Sequence, residues 1–142
     1  MIIPDVNLLI YAIDETSPHR PVARPWLKGV MSGTETVAFP WHSLLGFLRI
    51  ATNPRIFATP MPSSTAFSIL ESWLSQPNAT IAHPTHRHLT VLRDLLSPIG
   101  VAGDLTPDAH LAALAIEHDA TLHSSNSDFA RFAGLRWINP LA

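Results

Sequence analysis

Met1-Ile2-Ile3-Pro4-Asp5-Val6-Asn7-Leu8-Leu9-Ile10-Tyr11-Ala12 is the stretch whose reading decides the fold. Met1 to Ile3 is a short apolar run, the start of a buried strand. After Asn7 the apolar positions continue without a second turn signal, so a helix begins at once. Asp5 then sits where strand hands over to helix, and in open α/β sheets ligands bind at that carboxyl end of a strand. A carboxylate there either caps the helix, accepting from its free N–H groups, or holds a cation.

The rest of the chain repeats this alternation. Thr36-Val37-Ala38-Phe39, Ala79-Thr80-Ile81-Ala82, Ala120-Thr121-Leu122-His123 and Gly134 to Ile138 read as further strands. Helices are expected from Ser17 or His19 to Gly33, from Trp41 to Ala51 and from Ser63 or Ser64 to Leu74. Others follow from Thr85 to Leu96, with Leu89, Leu92, Leu95 and Leu96 inward, from Ala109 to His118, and briefly from Phe129 to Phe132. Thr106-Pro107-Asp108 is a helix start: Thr106 as cap, Pro107 at the first position, Asp108 in the first turn. Such alternation predicts a single three-layer α/β/α domain over residues 1–142, with a central, mainly parallel sheet of about five strands.

Composition narrows the function. Of 142 residues, 46% are hydrophobic and 14% charged, enough for a packed core. A net charge of -2 gives no global positive field, so a polynucleotide must be held by a local patch or by metal. Low charge with positive mean hydropathy suggests apolar surface covered by a partner. The absence of cysteine removes disulfide scaffolds, thiolate zinc sites and Cys nucleophiles, and fits a cytoplasmic protein. No apolar run approaches ~18 residues, so no membrane span is expected. Asp5 inside the apolar start, with no basic region before it, argues against a signal peptide.

In this architecture the strand-to-helix junctions gather on one edge of the sheet. Asp5 follows the first strand, Asp128 follows the fourth, and Asp108 opens the helix leading into the fourth, with Asp104 close by in sequence. Two bare carboxylates ~4 Å apart repel by about 4 kcal/mol at an effective dielectric of 20. Protonating one relieves this, as does a divalent cation, and all-oxygen ligands favour Mg²⁺ or Mn²⁺ over zinc. Each acid also has an ordinary role: Asp108 favoured by the helix dipole, Asp128 as a cap, Asp104 as a turn residue.

Four stretches in register resemble a known family. They are Asp5 to Ala12; Trp41-His42-Ser43-Leu44-Leu45-Gly46-Phe47-Leu48-Arg49 with Asn53-Pro54-Arg55; Asp108-Ala109-His110-Leu111-Ala112-Ala113-Leu114-Ala115; and Ser127-Asp128-Phe129 through Leu141. The chain resembles a PIN domain, specifically the VapC-type toxin of a VapBC toxin–antitoxin pair. The resemblance implies an Mg²⁺-dependent endoribonuclease, with Mn²⁺ able to substitute, whose acidic quartet holds the metal. It implies an RNA substrate, a VapB-like antitoxin whose C-terminal segment lies in an apolar groove, and a homodimer. Asp5 matches the first acid and Asp108 the third; both are expected metal ligands, and Asp128 a ligand or water-orienting base. Two positions depart from the family: Gly46 stands near the usual Glu, and Asn126 replaces one Asp in Ser124-Ser125-Asn126-Ser127-Asp128-Phe129. Asn126 and Ser124 are expected to hydrogen-bond coordinated waters, and Arg49 and Arg55 to contact phosphate. The histidines, including His83-Pro84-Thr85-His86-Arg87-His88, read as surface residues.

The rival reading is a PIN-like module that binds RNA or a partner without cleaving, favoured by Gly46 and Asn126. A phosphatase with an Asp nucleophile is poorer, because Asp5-Val6-Asn7 lacks the second Asp. Asp104 is placed to restore part of the missing charge. On that expectation, calorimetry finds weaker divalent binding in Asp104→Asn; unchanged binding removes the compensating role.

Overall fold

The computed structural model describes residues 1–142. Five short strands, β1 (Ile2–Pro4), β2 (Val37–Pro40), β3 (Ala79–Ala82), β4 (Thr121–His123) and β5 (Trp137–Ile138), form one sheet in the order β3-β2-β1-β4-β5. Every pairing is parallel. The central strand β1 is buried along its length, its Ile2 opposite Val37 on one side and Thr121 on the other. From β1 the chain winds outward through β2 to β3, then crosses back to lay down β4 and β5. The winding therefore reverses between β1 and β4, which is where open α/β sheets place their ligands. Asp5 leaves β1 and Ser124 leaves β4 at that point.

Helices α1 (Val6–Ile13), α2 (Arg20–Met31), α3 (Trp41–Ala51) and α4 (Ser63–Leu74) build one hydrophobic layer, while α5 (His88–Leu96) and α6 (Thr106–Glu117) build the other. Strand β2 shows how the pattern divides: Val37 and Phe39 join the first core, Ala38 the second. On α6 the residues Ala109, Ala112, Ala113 and Ala115 are fully buried, and their small side chains let the helix lie close to the sheet.

Element types agree with the sequence reading, and the differences lie at the ends. Helix α5 begins at His88 because Thr85 first makes a turn, its hydroxyl accepting from Arg87 N–H and its carbonyl from His88 N–H. Leu95 is buried as expected, but Leu89 is 71% exposed. Thr106 does not cap α6: a 3₁₀ turn, Gly103–Leu105, runs straight into the helix and takes Thr106 inside it. The expected helix near Phe129 is a 3₁₀ turn, Ser127–Arg131, capped by the Asn126 side chain.

Gly46 has a packing reason. A Cβ built there would lie 2.9 Å from Val6 Cγ2 and 3.3 Å from Val6 Cβ, so α3 crosses α1 at a distance only glycine permits. Ser43 fastens the same corner, its hydroxyl donating to the Pro4 carbonyl at 2.8 Å. A side chain fits at position 46 only if Val6 or the helices that carry the two residues shift. Overpacking of this kind costs about 1–3 kcal/mol. Gly46→Ala should lower the denaturant midpoint accordingly and Gly46→Glu more; unchanged midpoints would contradict the close approach.

Candidate metal centre

The site is built on Asp5. Its backbone N–H donates to the His123 carbonyl at 2.9 Å, continuing the β1–β4 ladder one residue past β1. The extended backbone at Asp5 then turns its carboxylate to the start of α1, where Oδ1 accepts from Val6 N–H at 2.7 Å. Oδ2 accepts from the Ser124 hydroxyl at 2.7 Å and from the Asn7 amide at 3.4 Å. Both roles left open at this junction are thus compatible, since one oxygen caps and the other faces the neighbouring strand. Ser124 is itself 0% exposed; its oxygen accepts from Asn7 and from Asn126 N–H, and the Trp137 indole donates to its carbonyl.

Asn126 ties the next residues in. Its side-chain amide donates to Asp108 Oδ2 at 3.4 Å, while its Oδ1 accepts from Asp128 N–H at 3.0 Å. Asp108, in the first turn of α6, is half-buried, and Asp128 is exposed. Their charges act on one another. Burial pushes the Asp5 carboxyl above its usual range, against hydrogen bonds from Ser124 and Val6 and the charge of His42. Burial also raises Asp108, and the charges of Asp5 and Asp128 raise it further, with His42 and Asn126 opposing. Asp5, Asp108 and Asp128, from three distant parts of the chain, therefore share one electrostatic neighbourhood with Ser124 and Asn126.

Other expected residues are exposed and make no hydrogen bond to these acids. Asp104 is exposed on the Gly103–Leu105 turn and is not among the charges perturbing Asp5 or Asp108. Arg49, near the end of α3, and Arg55, in the following loop, are exposed and form no ion pair.

The donors suit a hard cation in a sparse cage. No three His, Cys, Asp or Glu side chains are grouped closely enough to hold an ion between them. Mg²⁺ commonly uses one or two carboxylates and fills its other positions with water. Two carboxylates that burial disfavours, one of them further raised by the charges of its neighbours, meet that requirement.

Histidine is where the sequence reading missed most. His42, at the start of α3, exerts its charge on both Asp5 and Asp108. His88 and His110 are not free surface groups: they are hydrogen-bonded to each other, and His88 to Glu117. Burial, then the charges of His88 and His42, push His110 below the usual imidazole range. Burial works to raise the Glu117 carboxyl, but hydrogen bonds from Thr85 and His88 outweigh it and hold it low. One signal was available: His110 and Glu117 are seven residues apart, two helical turns, and so share a face of α6.

Comparison with known proteins adds to this geometry. The PIN domain family profile matches residues 2–135. The chain is 45% identical to Ribonuclease VapC33 of Mycobacterium tuberculosis over 141 residues, 99% of each chain. It is 44% identical to Ribonuclease VapC37 of the same organism over 142 residues, covering 100% of this chain and 99% of the relative. Among solved structures, VapBC2 from Rickettsia felis, crystallised on a DNA fragment from its promoter, superposes with a TM-score of 0.71 at 22% identity. That superposition covers 98% of both chains and speaks to the fold.

The raised carboxyls make a stability prediction. A carboxyl whose folded pKa is raised contributes stability at low pH that is lost as pH rises through the raised value. Asp108→Asn should therefore raise the melting temperature of the divalent-free protein at pH 7. That gain should shrink as the pH falls through and below the usual carboxylate range, where Asp108 takes up a proton in the folded and the unfolded chain alike. A loss at pH 7 would show that its charge is already compensated.

Proposed function

We infer a function from kinship: the chain belongs to the PIN-domain family, in its VapC branch. It is a metal-dependent endoribonuclease, the toxin of a toxin–antitoxin pair, and hydrolyses RNA phosphodiesters at the acidic edge beside β1 and β4. Relatives named ribonucleases over essentially the whole chain support this reading. The observation that carries it is the hydrogen-bonded chain from Asp5 through Ser124 and Asn126 to Asp108 at the switch point of the sheet.

Asp5 and Asp108 are the residues that would hold Mg²⁺, or Mn²⁺ in its place, through carboxylate oxygens. A divalent ion there supplies a water of lowered pKa and positive charge against the phosphate. The remaining work belongs to side chains. Ser124 fixes the orientation of Asp5 through its hydroxyl, and Asn126 does the same for Asp108. Asp128, open to solvent, takes the proton of the attacking water. Attack at phosphorus leaves a 5′-phosphate on one fragment and a 3′-hydroxyl on the other. Arg49 and Arg55 contact phosphates along the strand.

A VapB-like antitoxin occupies the apolar groove of about 730 Å³ between α1, α3 and the following loop, where Ile10, Ile13, Phe47, Ile56, Phe57 and Met61 contribute. The VapBC assemblies among the structural neighbours favour such a partner. Exposed Trp41, Leu45 and Leu89 suit a homodimer contact. No helix is long and apolar enough to cross a membrane, and the cytoplasm is where such a toxin would meet RNA.

The second reading, a module that binds without cutting, is favoured by the packing of Gly46 on Val6, which leaves no acid at that position. Titrating Mn²⁺ into protein with a structured RNA separates the two. The nuclease gives metal-dependent fragments; binding without fragments selects the other. Asp5→Asn should keep the fold and lose cleavage by more than the ~10–100-fold that an outer-shell change costs. Retained cleavage in that variant would remove the proposed chemistry.

A further inference from the structure

Three of the chain's nine Lys and Arg residues stand on one helix and take no part in the chemistry above. Arg20, Arg24 and Lys28 recur every fourth position along α2, so they form one stripe on its surface. None of them makes an ion pair. The stripe is unfavourable as it stands. Like charges four residues apart on a helix repel. Arg20 also opens α2, where the helix dipole already presents positive charge and no acid stands in the first turn. Its Nε–H is buried without a hydrogen-bond partner, a donor stripped of water and left unpaired. An anion accepting from the guanidinium fork relieves all three costs together.

The surroundings of the stripe say which anion. Arg20, Arg24 and Lys28 border a cavity of about 360 Å³ between α1, α2 and α4, with buried Leu27, Met31 and Trp73 in its wall. Arg20 and Arg24 border a second, of about 250 Å³, beside Pro21 and Pro25. The first shares Ile13 and Glu15 with the apolar groove of about 730 Å³, so apolar and basic surfaces adjoin past the end of α1. Glu15 borders all three cavities, yet it is exposed and pairs with none of the cations. Asp5, Asp108 and Asp128 line none of them. A nucleic-acid strand bound at those acids gains nothing from an apolar wall away from them. A peptide carrying both apolar and acidic side chains matches both surfaces.

We propose that Arg20, Arg24 and Lys28 form a carboxylate pocket for a partner peptide, taking its Asp or Glu side chains while its apolar residues fill the adjoining groove. Successive cations on the stripe are ~6 Å apart along the helix axis. Acids on every second residue of an extended peptide, or every fourth of a helical one, match that spacing. Charge at this pocket, added to apolar fit in the groove, decides which peptide is accepted. The inference rests on the reading of the groove as the partner's seat and gives that partner its chemistry.

A random phage-displayed peptide library, selected on the full chain and on a variant carrying Arg20→Gln, Arg24→Gln and Lys28→Gln, tests the pocket. The wild type should enrich peptides in which Asp or Glu follows or precedes a run of apolar residues. The variant should keep the apolar preference and lose the acidic one. A peptide selected on the wild type should bind the variant about tenfold more weakly, and the difference should shrink in ~0.5 M salt. Arg24→Gln with Lys28→Gln changes exposed side chains alone, should lose a smaller factor, and decides the matter if the triple variant does not fold. Mn²⁺-dependent RNA cleavage should be unchanged in both variants. Apolar peptides without acids on the wild type, or acidic enrichment that survives in the variants, overturn the pocket and leave the groove standing. RNA binding or cleavage that falls with the stripe while peptide binding holds assigns it to nucleic acid and overturns the proposal too. If the wild type enriches no apolar peptide, the groove reading fails and takes this inference with it.

Discussion

One carboxylate, taken out of water at the centre of the molecule, sets the terms for everything around it. Asp5 is 6% exposed, and its neighbours include a second acid that is also pushed toward protonation. Removing a charge from water is costly unless partners satisfy it. The fold supplies several: the first N–H of α1, the hydroxyl of Ser124 and the amide of Asn7. They hold the carboxylate in place yet do not overcome its desolvation, which still dominates. A divalent ion, as proposed, would remove the remaining penalty.

That arrangement depends on the strand order. Because β1 and β4 are neighbours, the residues leaving their carboxyl ends come together although 119 positions separate Asp5 from Ser124. Asn126 then extends the network to Asp108 and Asp128, so two neutral side chains organise three acids. The same economy explains the departures from the family pattern. At position 46 the helices α1 and α3 need the space a Cβ would fill, and at 126 an amide can donate to one acid where a carboxylate would repel it.

Much of this was legible in the sequence, and what was not has physical causes. Trp41–Ala51 and Ala79–Ala82 carry clear apolar periods, and both elements have the bounds the pattern gives. Asp5, Asp108 and Asp128 were recognisable from their places at junctions, because an α/β sheet gathers those junctions on one edge. Ends governed by side-chain hydrogen bonds were harder. Thr85 interrupts the start of α5 by bonding Arg87 and Glu117, neither of which a local pattern reveals. Thr106 resembles a cap in sequence, yet Gly103, with φ of 47°, starts a turn that absorbs it into the helix. The histidines defeated the reading because their partners are 22 and 29 residues away and only α5 packing on α6 unites them. Asp104, close to Asp108 in sequence, is exposed on the Gly103–Leu105 turn.

The most direct measurement is anomalous scattering from crystals grown with Mn²⁺. A metal-centred edge predicts a single strong peak in contact with the carboxylates of both Asp5 and Asp108, lost when Asp5 becomes Asn. Saturating Mn²⁺ with no density between those two residues, or a peak that ignores the substitution, would contradict the metal centre on which the proposed nuclease activity rests.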